Sequence, residues 1–331
     1  MSHFSVGVVI TPKQLHDFLE GELTEKQIKE QIDTGTENMD SEVMEAVSAV
    51  IEDKLSPYAA DADAEYMDFH VDMTAKEILE YAEIMREELR PPYMQIKRIC
   101  ENKFFDKISA AYKSQFFMEV HNFLDEVSAD PACIRNVEKF CRLMEAETED
   151  EIHDAYCELC EFETNEFGDS GYYANPDAKW DYWTIGCNTR NAVKKKQKDG
   201  TVIPAFIACI RDIDWGINKE EYDAASALWD YAVDGKPWKY EDEKSPILFY
   251  KKEYYLNRYK TKETFAKTVA REHPFAFVDA EGEWYARGMM MSFGQSSDTG
   301  EEEIAWSEKF YDSFIKELSG DDIYVVLDCH V

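Results

Sequence analysis

Two residues near the end of the sequence could act together in acid–base chemistry. Asp328 and His330 are separated by one residue, so in an extended strand they share a face, while Cys329 between them points to the other. A carboxylate that orients an imidazole is a normal unit of acid–base catalysis. If the last strand pairs with the first, His3 would lie close to this pair. The alternative is a polar strand end that is simply hydrogen-bonded into the sheet.

A second candidate site is the aromatic segment from Lys179 to Trp183. In a strand, Lys179, Asp181 and Trp183 face one way. Trp180 and Tyr182 face the other. A lysine and an aspartate on one face could hold a small anionic ligand or transfer a proton. Alternatively, the segment is purely structural, with the aromatic side chains packed in the core and Lys179 paired with Asp181. Trp180 should be buried under both interpretations.

His153, Cys157 and Cys160 have the spacing of a metal site on a helix, since positions i, i+4 and i+7 lie on one face. A structural zinc site needs four ligands, however, and Glu149 is a weak fourth. Cysteines also pack well as small apolar residues on buried helix faces. No glycine-rich phosphate loop, Gly-x-Ser-x-Gly or His-Glu-x-x-His motif is present. We therefore expect neither a metal nor an organic cofactor.

The charge of the chain restricts its binding partners. Thirty-six basic and 69 acidic residues give a formal net charge of −33. This balance argues against direct nucleic-acid binding and against docking on anionic lipid. No stretch reaches the ~18 apolar residues of a transmembrane helix, and the first residues do not resemble a signal peptide. The eight cysteines are irregularly spaced, so we expect free thiols and a cytoplasmic location.

The acidic residues are concentrated in two tracts. Residues 30–75 contain thirteen acids and one base, Lys54, and residues 145–169 contain eleven acids and no base. Ordered rows of carboxylates could mimic DNA and occupy a DNA-binding protein. The commoner alternative is a highly soluble, solvated surface.

The predicted elements place the candidate residues in a sheet. Residues 4–10 and 323–331 are β-rich runs at opposite ends of the sequence, and each needs a neighbouring strand. Residues 93–165 are predicted to be mostly helical. We predict an α+β protein with a mixed or antiparallel sheet formed by the N- and C-terminal parts and a helical insertion. The predicted domains are 1–92, with the first strand and acidic helices, 93–167, the insertion, and 168–331, which completes the sheet.

Several stretches resemble a known family. Residues 1–6 read MSHFSV, and residues 175–186 read NPDAKWDYWTIG. Further along, residues 273–278 read HPFAFV, residues 282–288 read GEWYARG, and residues 321–331 read DDIYVVLDCHV. In this order they resemble a family of uncharacterised proteins encoded by bacteriophages and prophages, with an MSHF start, a central NPxAKWDWY motif and a DCH C-terminus. The family continues its central motif with Gly-Gly-Arg-Trp, where this chain has Gly186-Cys187-Asn188-Thr189 and an arginine only at Arg190. Any family site built on that turn is altered or lost here.

The resemblance implies a phage or prophage origin but carries no activity. The leading hypothesis is a non-enzymatic accessory protein that binds a host or phage protein, or a small anionic ligand, in counter-defence or host modulation. The alternative is a hydrolase or nucleotide-processing enzyme. A deep pocket would favour the enzyme, and a shallow sheet face would favour binding, according to where the structure places Lys179, Asp181, Arg190, Asp328 and His330.

Overall fold

The computed structural model describes residues 2–35, 38–63, 66–100, 137–186, 192–240, 246–248, 250–291 and 295–331. The chain divides into two compact units, Met1–Asp63 with Asp177–Val331, and Ala64–Pro176. None of the helices in the described ranges has both the length and the apolar character that a membrane-spanning helix requires.

The elements in these ranges are numbered in chain order. The α-helices are α1 (Pro12–Phe18), α2 (Glu25–Thr34), α3 (Ser41–Leu55), α4 (Ala75–Cys100), α5 (Val137–Glu145), α6 (Glu149–Leu159), α7 (Lys219–Ala232), α8 (Lys252–Tyr259), α9 (Lys262–Ala270) and α10 (Gly300–Phe310). The strands are β1 (His3–Ile10), β2 (Phe69–Asp72), β3 (Glu163–Thr164), β4 (Ser170–Ala174), β5 (Tyr182–Ile185), β6 (Val193–Lys196), β7 (Val202–Ala205), β8 (Ile207–Cys209), β9 (Ala276–Val278), β10 (Trp284–Ala286), β11 (Met290–Met291), β12 (Gln295–Ser296) and β13 (Ile323–His330).

The first unit is built on a mixed sheet with the strand order β10–β9–β1–β13–β5, and β8 also pairs with β13. Strands β1 and β9 are parallel, whereas β1 and β13 are antiparallel. The predicted α+β class with a mixed sheet from both ends of the chain is therefore confirmed.

The two terminal strands pair along their whole length. His3 lies opposite His330, and Ile10 lies opposite Ile323. The ladder continues through Ser2 and Val331, whose backbone groups exchange two hydrogen bonds of 3.2 Å. Both strands are rich in β-branched residues, which fit central strand positions. The predicted pairing is confirmed, and it brings the histidines near the two ends of the sequence to one place.

Successive side chains along these strands point alternately into two different hydrophobic cores. Val8 of β1 belongs to the core that contains Ile51 of α3, on the face covered by α1–α3. The adjacent Val9 belongs to the opposite core, which contains Phe310 of α10. Neighbouring side chains of one strand thus support different layers of the unit.

The second unit combines helices with a small sheet. Ile78 of α4, Phe140 of α5 and Ile152 of α6 are buried in a shared core. Strands β2, β4 and β3 form a three-stranded antiparallel sheet in that order. The sequence analysis did not predict these short strands, because none of them has a long apolar run.

Two features of α4 differ from what its sequence predicts, since Pro91-Pro92 is typical of a helix end and Tyr81 shares an apolar stripe with Ile78. The helix does not end at Pro91-Pro92 but continues to Cys100, although an interior proline removes one hydrogen bond and crowds the preceding turn. Tyr81, which was placed on the buried face with Ile78, is 53% exposed. The helix also crosses the predicted domain boundary at 92/93. Much of the predicted insertion 93–167 lies outside the described residues, and its extent stays a prediction.

Local sequence signals mark several helix ends and turns. Thr11 caps α1, and the side chain of Thr24 forms a capping box with Gln27 at the start of α2. Gly200 lies in the turn between β6 and β7, and Gly282 lies in the turn between β9 and β10, with φ angles of 85° and 93°. These left-handed conformations favour glycine, which explains why the sequence marks both hairpins.

Candidate functional site

The paired strands β1 and β13 bring His3, Asp328 and His330 together at one end of the main sheet. His3 lies opposite His330 in the strand register. Asp328 Oδ2 lies 3.1 Å from His3 Nδ1. The two imidazole rings are 3.9 Å apart between centroids and are tilted by 55°. The ligand atoms of the three side chains all lie within 4.8 Å of one another.

The Asp328 carboxylate is buried although one of its oxygens has no partner. Only 4% of this side chain is exposed, compared with 51% of the His3 side chain. Asp328 Oδ1 accepts no hydrogen bond from any described residue. Thr184 lies opposite Asp328 on β5, and its buried Oγ1 also lacks a partner in the described part of the chain. A buried unsatisfied oxygen costs about 1–3 kcal/mol, so this corner of the sheet favours an additional bound group.

Cys329 does not belong to this cluster. It is fully buried in the core on the opposite face of the sheet, as strand alternation predicts. Burial raises the pKa of its thiol well above the usual range. The thiol is therefore protonated and is not a nucleophile for the neighbouring histidine.

Lys179 and Asp181 line a separate cavity of about 300 Å³ whose other walls are mostly apolar. Strand β5 begins only at Tyr182, so the alternation predicted from Lys179 onwards is wrong. Trp180 and Trp183 both pack against the core on the α1–α3 side. Trp180 is buried as predicted, and its Nε1 donates a hydrogen bond to a backbone carbonyl at 3.1 Å. The Trp183 side chain is therefore placed with the core and not with Lys179 and Asp181.

The residues of the enzyme hypothesis are divided between these two places. Asp328 and His330 are not among the residues that line the cavity of Lys179 and Asp181. Arg190 lies outside the described residues.

The first unit also contains a large, strongly acidic groove. Its volume is about 1210 Å³. Helices α1 and α3, the segment that follows α3, Trp180 and the β9–β10 turn contribute its walls. Seven exposed carboxylates line it: Asp17, Glu52, Asp53, Asp61, Asp63, Glu281 and Glu283. We call this cavity the acidic groove.

Lys54 is the basic residue in the wall of the acidic groove. Its side chain is buried, and its ammonium donates hydrogen bonds to the backbone carbonyls of Asp279 and Ala280. Burial lowers its pKa, although the nearby Asp279 carboxylate opposes this effect. Lys54 therefore holds the β9–β10 turn against α3 and does not extend into the groove.

Sequence reasoning found only part of the acidic groove. Glu52, Asp53 and Asp61 belong to the acidic tract 30–75 that the composition had singled out. Glu281 and Glu283 lie about 220 residues further along, where the sequence indicates a hairpin turn at residues 280–282 and a strand that begins at Glu283. The fold brings them together because β9 pairs with β1, which precedes α1. The negative charge of the groove could have been predicted from the acidic tract, but the contribution of Glu281 and Glu283 could not.

His153 and Cys157 lie on α6, and Cys160 is the residue that follows its last turn. Cys157 Sγ is 3.9 Å from His153 Nε2. Burial is the main reason why the pKa of Cys157 is raised to about 11, and a thiol that retains its proton is a poor metal ligand. The expectation that these residues form no metal site stays a prediction.

A second group of metal-ligating side chains occurs in the first unit. The ligand atoms of Asp33, Cys209 and Asp212 lie within 4.8 Å of one another. Cys209 is fully buried, and burial is the main cause that raises the pKa of its thiol to about 11. Metal binding by this group would require the buried thiol to release its proton to solvent.

Comparisons with protein-family models, with curated proteins and with solved structures found no match.

Proposed function

We propose that this protein is a non-enzymatic accessory protein of phage or prophage origin, which binds the DNA-binding surface of a host or phage protein in the bacterial cytoplasm. The acidic groove is the observation that carries this proposal. Its role would be counter-defence or host modulation, and it would act by occupying the surface that its partner uses for DNA.

The charge of the acidic groove supports a cationic partner. Seven carboxylates lie in one cavity, and the ammonium of Lys54 is hydrogen-bonded to backbone carbonyls instead of facing them. Clustered like charges repel one another, and the lysines and arginines of a partner would relieve that repulsion. The DNA-binding surface of a protein carries such residues because it must neutralise phosphates. A small anionic ligand would be repelled from this groove.

The size of the acidic groove supports a macromolecular partner. Small-molecule pockets usually measure about 300–1,000 Å³, and they are mostly apolar. The groove is larger, at about 1210 Å³, and its acidic side chains are exposed. It therefore fits several side chains of a partner better than one small ligand.

The distribution of the other candidate residues also supports binding. An enzyme built on Lys179, Asp181, Asp328 and His330 needs them in one pocket, and the described residues place them in two separate locations. The first pair lines a small apolar cavity, and the second lies with His3 on a different face of the sheet.

The first test uses a short fluorescent peptide that is rich in arginine and lysine. The groove variant carries Asp53→Asn, Asp61→Asn, Asp63→Asn and Glu281→Gln. The control variant carries Glu22→Gln, Glu25→Gln, Glu42→Gln and Glu45→Gln, four exposed acids that do not line the groove. Both variants lose the same charge, so a difference between them reports the location of binding.

We expect the groove variant to bind the peptide at least about fivefold more weakly than the parent, since each exposed ion pair contributes about 0.2–1 kcal/mol. The control variant should change much less. Binding should also weaken from about 50 mM to about 300 mM salt, because screening shortens the range of surface charges. Equal effects of the two variants would show that only the net charge matters and would contradict the proposal.

The second test identifies the partner. The full-length protein is immobilised and exposed to a bacterial lysate, and the captured protein is then challenged with double-stranded DNA. Competition for one surface predicts that DNA releases the partner and that the groove variant captures less of it. A partner that stays bound in excess DNA would exclude DNA mimicry.

A further inference from the structure

We infer that His3, Asp328 and His330 form a binding site for a divalent first-row transition metal such as Zn²⁺. This site goes beyond the proposed binding function, and it departs from the expectation that the protein has no metal.

The geometry is close to that of a coordinated metal. Two nitrogen or oxygen ligands that bind one Zn²⁺ tetrahedrally at about 2.0–2.2 Å lie about 3.3–3.6 Å apart. The ligand atoms of the three side chains lie within 4.8 Å of one another, and Asp328 Oδ2 is already 3.1 Å from His3 Nδ1. The His3–Asp328 pair already has a separation that one ion could bridge, and coordination by all three requires His330 and His3 to rotate toward the carboxylate.

The buried carboxylate is the observation that points to a cation. The Asp328 side chain is 4% exposed, and its Oδ1 has no hydrogen-bond partner among the described residues. Burying a carboxylate costs several kcal/mol unless a charge or hydrogen bonds compensate for it. His3 compensates for one oxygen only. A divalent ion at this position would neutralise the carboxylate and explain why it is kept in a strand that is otherwise apolar.

The surroundings of the cluster fit a site with open coordination positions. Two histidines and one carboxylate leave further positions for water, as in catalytic zinc sites and in iron sites with the same ligand set. The half-exposed His3 side chain leaves a path from solvent. The ring of Tyr182 packs edge-on against His330 at 5.4 Å and restricts its orientation.

The test is a titration of the full-length protein, freed of metal by chelation, with Zn²⁺ by calorimetry and with Co²⁺ by absorption. The two ligand variants are Asp328→Asn and His3→Gln. Two control variants follow: one removes a carboxylate near the proposed site, and the other removes a possible metal ligand elsewhere in the unit. Asp181→Asn removes an exposed carboxylate next to β5, and Cys209→Ala removes the thiol of the second group.

We expect one equivalent of metal to bind to the parent and to both controls. Each ligand variant should bind at least about 100-fold more weakly, since loss of an outer-shell partner alone costs 10–100-fold. Zn²⁺ should raise the melting temperature of the parent and not that of His3→Gln, because only a ligand of the folded state stabilises it. The Co²⁺ spectrum should lack the thiolate charge-transfer band that cysteine ligation produces.

Two results would overturn the inference. One is a parent that binds no stoichiometric metal. The other is binding that Cys209→Ala abolishes while His3→Gln leaves it unchanged, which would assign the metal to the second group. If Asp328→Asn fails to fold, His3→Gln decides alone, because the His3 side chain is half exposed and its replacement should not affect folding.

Discussion

Trp180 separates the acidic groove from the apolar cavity of Lys179 and Asp181, and it lines both. Its side chain is 6% exposed, and its Nε1 donates to the carbonyl of Leu55, the last residue of α3. The last carbonyls of a helix have no partner within the helix, so the indole satisfies one of them. Replacing Trp180 should therefore weaken both the core and the end of α3.

The expected costs of two substitutions differ. Trp180→Ala removes a large buried ring and should cost about 3–5 kcal/mol of unfolding free energy. Trp180→Phe keeps an aromatic ring and removes the donor to Leu55, which leaves a buried carbonyl unsatisfied and should cost about 1–3 kcal/mol. As a control, Trp183→Phe removes a hydrogen bond of 2.9 Å to the exposed carboxylate of Glu52 and should cost less than either.

The assay is urea unfolding of the full-length protein, followed by circular dichroism, together with peptide binding to the acidic groove under native conditions. Trp180→Ala should shift the transition to lower urea and weaken peptide binding. The reasoning is refuted if Trp180→Ala unfolds within about 1 kcal/mol of the parent, because a ring that supported the core could not be removed so cheaply.

Two further predictions concern buried charges. Burial, more than the nearby acids, raises the pKa of Glu272 from 4.5 to about 8, so between these values the folded state binds more protons than the unfolded state and loses stability as the pH rises. The unfolding free energy of Glu272→Gln should therefore increase relative to the parent by on the order of 3 kcal/mol from about pH 5 to pH 8, as measured by denaturant unfolding. A difference that does not depend on pH would contradict the burial of this carboxyl. Arg287 Nη1 lies 2.9 Å from Glu303 Oε1 in a largely buried network, so Arg287→Met should lower the unfolding free energy by about 3–5 kcal/mol. The control Arg271→Met loses a 3.6 Å contact to the exposed Glu308 and should lower it by at most about 1 kcal/mol. Comparable losses of stability in thermal unfolding would refute this distinction between buried and exposed pairs.

The parts of the fold that could be predicted are those in which the signal is local. Thr24 and Gln27 indicate the start of α2 because their side chains accept hydrogen bonds from backbone N–H groups of the same turn. Gly282 marks a hairpin because the turn needs a left-handed residue. The pairing of β1 with β13 is long-range, but few other strands could satisfy two β-rich runs of eight residues.

The parts that could not be predicted depend on partners far away in sequence. Nothing near Pro91 and Pro92 shows that α4 continues past them, since the helix is held by tertiary packing against α5 and α6 and not by propensity. The acidic groove is similar, because the two glutamates of the β9–β10 turn join it only once β9 has paired with β1.

The same strand explains why the two proposed sites should function independently. In β13, Asp328 and His330 point to one face of the sheet, and Cys329 points to the other, into the core under α1–α3. Helices α1 and α3, which cover that second face, also form walls of the acidic groove. The pleat of one strand thus supplies the metal ligands on one side and the packing that supports the groove on the other. Substitutions that share no partners usually have additive effects. Asp328→Asn should therefore abolish metal binding without changing peptide binding, and the groove variant should show the reverse, so that failure of one proposal leaves the other open to its own test.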